Sequence, residues 1–309
     1  MRYYHFLLFF LGFAVSMQAQ KAGKIAPQAL QELKTYEDTL ALMGYAVLND
    51  SIPEHRFGTC KKLIVTLKTA LQLENSFNFP FERLKSVSIQ YPKDSTFRIF
   101  TWQLYVDKDE YRYFGAIQMN TRELTLIPLV DRSFEFTGNI EQKTYGADDW
   151  YGAVYYRLME VDAPQGKYYL VFGFDGFEFF QRRKFVDVLT FDEQGQPHFG
   201  APVFVSEGEG PVGPRTKNRI FLEYSAEASV KLNYDETLGK IIFDNLMMIN
   251  GQYGEGPTKI PDGTYQGYEL KDGVWVHIPK VFHEIMNEPP IPQPKLGAGA
   301  EKKDLFGNK

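Results

Sequence analysis

Apolar positions recur every three or four residues near the start of this chain and every second residue along most of the remainder. One stripe holds Leu30, Leu33, Tyr36, Leu40, Met43 and Val47. It predicts an amphipathic helix with Pro27 in its first turn and Asn49 and Asp50 at its end. A second stripe, Phe57, Cys60, Ile64, Leu67 and Leu71, predicts another helix. Ser51 with Glu54 three residues on has the form of a capping box at its start. Two helices of this length do not make a domain, so a helical hairpin over residues 27–74 is expected, packed on the segments C-terminal to it.

After Asn75 the period changes. Phe77 to Phe81 crosses over in extended form around Pro80. Strands are then expected at Ser86–Gln90, Phe97–Val106, Tyr111–Met119, Glu123–Pro128, Trp150–Met159 and Tyr168–Phe174. Further ones are expected at Phe185–Phe191, His198–Val205, Ile220–Ser225, Val230–Tyr234, Ile241–Leu246, Thr264–Leu270 and Val274–Ile278. The links at 107–110, 192–195, 235–239 and 271–273 are hairpin-sized, and Asp272-Gly273 suits a turn with positive φ. Short links imply antiparallel pairing between sequence neighbours. Alternation assigns faces: Phe185, Asp187, Leu189 and Phe191 share one, and Val230, Leu232 and Tyr234 turn away from Lys231 and Asn233.

The pattern predicts a mainly β, α+β protein: antiparallel meander or sandwich-like sheets behind an N-terminal helical hairpin, in a single domain over residues 20–280. A small β-propeller is the alternative, at about 40–45 residues per blade, although no signature recurs at fixed spacing. Residues 131–149 and 206–218 read as long loops, the second too rich in Gly and Pro for regular structure. Residues 281–309 read as a Pro-rich, extended or disordered tail.

The first nineteen residues stand apart. Arg2, the apolar run Phe6–Val15 and the small-residue exit around Ala19 have the form of a secretory signal peptide. The run is about half of what a membrane-spanning helix needs, and no later stretch replaces it. The expected protein is therefore exported and soluble, periplasmic, with extracellular release as the alternative. Cys60, the single cysteine, lies too far from Ala19 to be a lipid anchor and cannot close an intramolecular disulfide. Its helical spacing between Phe57 and Leu63 makes it a small core hydrophobe rather than a reactive thiol.

Removing residues 1–19, whose only charge is Arg2, takes the net charge from −5 to −6. A mildly acidic chain with interspersed charge has no electrostatic reason to bind nucleic acid or anionic membranes. Aromatic residues make up 16% of the chain, which suits strand packing and also the stacking of sugar rings.

Catalytic patterns are few. His55, His198, His277 and His283 form no HxH or HExxH arrangement, so no metal is expected. There is no Gly-x-Ser-x-Gly elbow. The glycines at 208–210 and 251–256 lack the Lys and Ser/Thr of a phosphate loop, so no cofactor is expected either. Asp107–Glu110 lacks the Gly and distal Glu of a calcium loop. Two constellations remain. Asp148, Asp149, Trp150 and Tyr151 set two carboxylates beside two aromatics, and Asp175 ends another aromatic strand. Sugar recognition uses such pairs, and a glycosidase needs two carboxyls at about 5–10 Å.

The segments Phe97–Trp102, Tyr111–Met119, Trp150–Tyr155 and Tyr168–Gly176 resemble a family of exported proteins of unknown function from Bacteroidota. Phe185–Phe191 and Arg219–Ser225 before the Lys231–Phe243 hairpin extend the resemblance over most of residues 30–280. It implies one structural unit with its helical start included, and an envelope location, and it carries no catalytic residue. The function expected is non-enzymatic binding of an envelope partner or ligand, on the sheets or through residues 131–149 and 206–218. The alternative is a carbohydrate-binding or carbohydrate-active protein using Asp148, Asp149, Trp150, Tyr151 and Asp175.

Overall fold

The computed structural model describes residues 20–206, 215–251, 254 and 256–282. The signal-like segment and nearly all of the Pro-rich tail lie outside the described residues. Two helices come first, α1 (Pro27–Asn49) and α2 (Pro53–Leu71). Next come β1 (Ser88–Gln90), β2 (Phe97–Asp107), β3 (Glu110–Met119) and β4 (Leu126–Val130). The middle strands are β5 (Val154–Val161), β6 (Tyr168–Asp175), β7 (Gln181–Phe191), β8 (Pro197–Phe199), β9 (Phe204–Ser206), β10 (Arg215–Lys217) and β11 (Arg219–Ser225). The last are β12 (Leu232–Asp235), β13 (Lys240–Asn250), β14 (Pro257–Lys271) and β15 (Val274–Ile278).

These strands form three sheets, ordered β1-β2-β3-β4, β11-β7-β6-β5 and β10-β9-β15-β14-β13-β12, with β8 beside β7. Among the described residues none of them closes into a barrel or propeller. The mainly β, antiparallel reading with two leading helices holds, and the propeller alternative does not.

Three apolar cores separate four layers. Leu33, Leu40, Leu63 and Leu67 of the helices meet Phe100, Trp102 and Leu104 of β2. The neighbouring β2 residues Phe97 and Ile99 point the other way, onto Tyr169 and Val171 of β6 and Phe185 and Leu189 of β7. Leu170 and Phe172 of β6, with Val186 and Val188 of β7, face Phe204, Ile241, Phe243 and Trp275 of the third sheet. Side chains alternate across a strand, so the first two sheets each serve two cores.

That stacking corrects several expectations. β7 is not one-faced: Val186 and Val188 are as buried as Phe185 and Leu189. Cys60, Leu67 and Leu71 of the α2 stripe are buried as expected, but Leu63 takes the place of Ile64, and Phe57 and Ile64 are exposed. No capping box forms. Ile52 precedes the helix without a side-chain cap, and its own amide donates to Asp50 Oδ1 at 2.9 Å. Residues 215–217 of the supposed irregular loop pair with β9, while 207–214 lie outside the described residues. Most sequence neighbours do pair antiparallel, but β9 runs parallel to β15, and β11 leaves its neighbours to join β7. The expected strand at 198–205 splits into β8 and β9 at Gly200, whose φ of +107 suits glycine alone and where a Cβ would lie 2.6 Å from Lys143 O. Val281 and Phe282, assigned to the tail, dock on Tyr265.

Other expectations hold. Cys60 is buried, and burial pushes its thiol up, as suits a core hydrophobe. Asp272 and Gly273 both have positive φ in a two-residue hairpin turn. Residues 131–149 contain no strand, yet they are not loose. Asn218 Nδ2 donates to Gln142 O at 3.0 Å, and Tyr145 and Phe199 exchange backbone hydrogen bonds.

Candidate functional site

Strand β6 delivers Asp175 to the end of the second sheet, where it is almost fully buried. A buried carboxylate requires donors, and the surrounding groups supply them. Tyr113 OH donates to Oδ1 and Tyr151 OH to Oδ2, each at 2.9 Å. The Phe177 amide donates to Oδ1 at 2.8 Å, and the Gly176 amide donates to Tyr113 OH at 2.6 Å. Arg183 backs the cluster, donating to Tyr151 OH at 3.0 Å and pairing with Glu223 at 2.7 Å. Its guanidinium lies 3.1 Å from the Phe177 ring centre.

Burial pushes the Asp175 carboxyl up, outweighing the Phe177 amide and the two phenols that hold it down. Burial and the Asp175 charge push both phenols well above their ordinary value, so they remain donors. A raised folded-state pKa means that the protonated form fits the fold better. The stabilising contribution is then complete below the unfolded value of 3.8 and fades as pH rises through the folded one. Denaturant unfolding of the native protein and Asp175→Asn should therefore show a stability difference that shifts toward the native protein as pH falls to about 4. A pH-independent difference, or one of opposite slope, would refute it.

The cluster shapes the turn between β6 and β7, where Phe177 has a φ of +48. The turn presents Phe179 and Phe180 edge-to-face at 4.9 Å, both exposed. The hairpin tip between β2 and β3 lies alongside: the Phe179 amide donates to Asp109 Oδ1 at 3.4 Å. A Cβ on Gly176 would lie 2.9 Å from the Tyr111 ring, so only glycine admits this approach. Tyr105 rests 5.5 Å from Tyr111, and Arg112 stacks 4.1 Å over the exposed Phe134. The 105–111 hairpin and the 177–180 turn thus bring aromatic rings together beside the exposed carboxylates of Asp109 and Glu178, with Phe134 on Arg112 of the same hairpin.

The five residues singled out by the sequence divide. Tyr151 and Asp175 do meet, but in the core. Trp150 is fully buried, and its indole donates to Tyr155 OH at 2.6 Å, so it has no face open to a sugar. Asp148 and Asp149 are not in the core, and Asp149 accepts from the Gly146 amide. The five line no common cleft, and the carboxylates suited to acid–base chemistry are split between surface and core. The exposed rings Phe134, Phe179 and Phe180 are not among the five. The signal was present in Gly176–Phe180, where aromatics fill a hairpin link that ordinarily carries polar turn residues.

A cleft of about 310 Å³ opens between β11 and strands β13 to β15, with Lys217, Gln266 and His277 on its wall. His277 Nε2 and Gln266 Oε1 lie 2.8 Å apart, and burial and Lys217 lower the histidine below its ordinary value. Among the described residues no three His, Cys, Asp or Glu side chains are placed to hold a metal ion, and no helix is long and apolar enough to cross a membrane. Comparison with protein-family models, curated proteins and solved structures found no match.

Proposed function

We propose that the protein is exported and acts by binding rather than catalysis, with a glycan of the cell envelope held on the aromatic tips at 105–111, 134 and 177–180. The observation that carries this reading is the exposure of Phe179 and Phe180 on a turn that lies against Asp109 and Tyr111 of the β2–β3 hairpin. Binding residues on loops held by a rigid frame are a recurrent arrangement, and exposed apolar patches on soluble proteins mark interaction sites. The ring faces offer stacking surface for the C–H faces of a sugar, and Asp109 and Glu178 can accept from its hydroxyls. The signal-like N-terminus and the resemblance to exported proteins support the location.

A glycan array followed by thermal shift tests it. A ligand at a hundredfold excess over its Kd should raise Tm by about 5 °C or more. Phe179→Ala combined with Phe180→Ala should abolish the shift while leaving the unliganded Tm within about 2 °C, since both rings are solvent-facing. No glycan hit, or a shift retained by the double variant, would overturn the assignment.

A further inference from the structure

The helical layer carries several of the most exposed large apolar side chains among the described residues. Leu42 is 75% exposed, Tyr45 68% and Val65 59%, and Leu48, Ile52 and Phe57 join them. Leu42, Tyr45 and Val65 lie opposite the core stripe of Leu40, Val47, Cys60, Leu63 and Leu67, and Leu48 and Phe57 flank it, so their exposure is a feature of the hairpin and not a gap in packing. Exposed apolar side chains gathered on one helical layer mark an interface, and the charge around them says with what. From Thr39 to Asn49, α1 has no charged residue at all. On α2 the exposed charged side chains beyond the first turn are Lys61, Lys62 and Lys68; none is in an ion pair among the described residues, the helix's one carboxylate, Glu54, is in its first turn, and the bordering Asp38 and Asp50 are already paired with Arg83 and His55.

We infer that this face docks on an anionic lipid surface. Apolar side chains that can enter the headgroup boundary, interleaved with lysines whose stems reach back to phosphates, are the composition of an interfacial helix. A second copy of the chain fits poorly, because a twofold contact places the same patch on itself and sets the three lysines against their own kind. The local patch is basic although the whole chain is acidic, and attraction to a surface falls off within a Debye length, so the patch decides. This inference is independent of the glycan assignment, which concerns the tips of other layers.

The test uses a Tyr45→Trp reporter in the full chain. All three native tryptophans, Trp102, Trp150 and Trp275, are buried, so their emission is a constant background. Vesicles of phosphatidylcholine mixed equally with phosphatidylglycerol should shift the reporter emission to the blue, and phosphatidylcholine alone should do so much less. Adding Lys61→Gln, Lys62→Gln and Lys68→Gln should weaken partitioning about a hundredfold, at roughly 1 kcal/mol per lysine near an anionic surface. Sedimentation with vesicles without a blue shift would mean that a part of the chain away from Tyr45 does the binding, and would overturn the inference. A shift that tracks protein concentration without lipid would overturn it in favour of self-association. Equal binding by the lysine-free variant would overturn it as well.

Discussion

Replacing Arg98 by Met is expected to destabilise the protein by about 4 kcal/mol, an effect reserved for broken buried networks. Arg98 is fully buried on β2 and faces no carboxylate. Its guanidinium instead saturates neutral acceptors: Nε donates to Gln118 Oε1 at 2.8 Å, Nη1 to Phe79 O at 2.6 Å and Tyr91 OH at 2.7 Å, and Nη2 to Ser76 O at 3.0 Å. The rings of Phe100, Phe81 and Phe77 lie within 4.7 to 5.5 Å of its centre. Burial pulls the guanidinium below its usual value, but nothing there approaches deprotonation at neutral pH. Met would fill the volume and remove the buried charge. It would leave Phe79 O and Gln118 Oε1 without donors in a dry site, at about 1–3 kcal/mol each, and would end the stacking. Arg98→Lys should recover less than half of the loss, because a single ammonium cannot span acceptors on the 76–79 turn, β3 and Tyr91 together. Denaturant midpoints at constant m-value decide it. A loss below about 1 kcal/mol for Met would show that this network does not hold the crossover from helices to first sheet.

Removing Asp187 should cost a similar amount, and the loss should be partly undone by removing its partner. Asp187 and Arg219 face each other across β7 and β11 at 3.2 Å, both almost wholly buried. Burial pushes the Asp187 carboxyl up, and the Arg219 charge pulls it back only in part. Taken alone, Asp187→Leu strands a buried guanidinium and should cost about 3–5 kcal/mol. Arg219 also donates to Ile140 O and to Phe199 O, and stacks 4.6 Å from the Tyr145 ring. It therefore ties the 131–149 segment to the middle sheet. Arg219→Met should add faster amide exchange in residues 140–145 to a similar loss of stability. In the double variant neither charge is stranded, so its cost should fall short of the summed single costs by about 2 kcal/mol or more. Additive costs would mean that the two groups act separately, Asp187 through the Val188 amide that donates to its Oδ1 and Arg219 through the Ile140 and Phe199 carbonyls, and not as a pair.

Local order was written in the chain because its causes are local. The α1 stripe, the Asp272-Gly273 turn and the alternation of Val230, Leu232 and Tyr234 each depend on residues a few positions apart. The helices, most strands and the antiparallel hairpins therefore came from spacing alone. What covers each face has no local cause. A strand with apolar residues on both sides, such as β6, reads the same whether one face or two are buried, and only the stacking of four layers buries both. That stacking hid Trp150, turned Asp175 from a candidate ligand into the brace of a turn, and enclosed Arg98 among phenylalanines. The return of β11 to β7, and the parallel approach of β9 to β15, join segments whose pairing leaves no mark in either stretch. The exposure of Phe179 and Phe180 was decided in the same way: residues distant in sequence fill the core, and these two rings end a turn with nothing packed beyond it. Periodicity states which side chains share a face; contacts between remote segments determine whether that face meets protein, ligand or water.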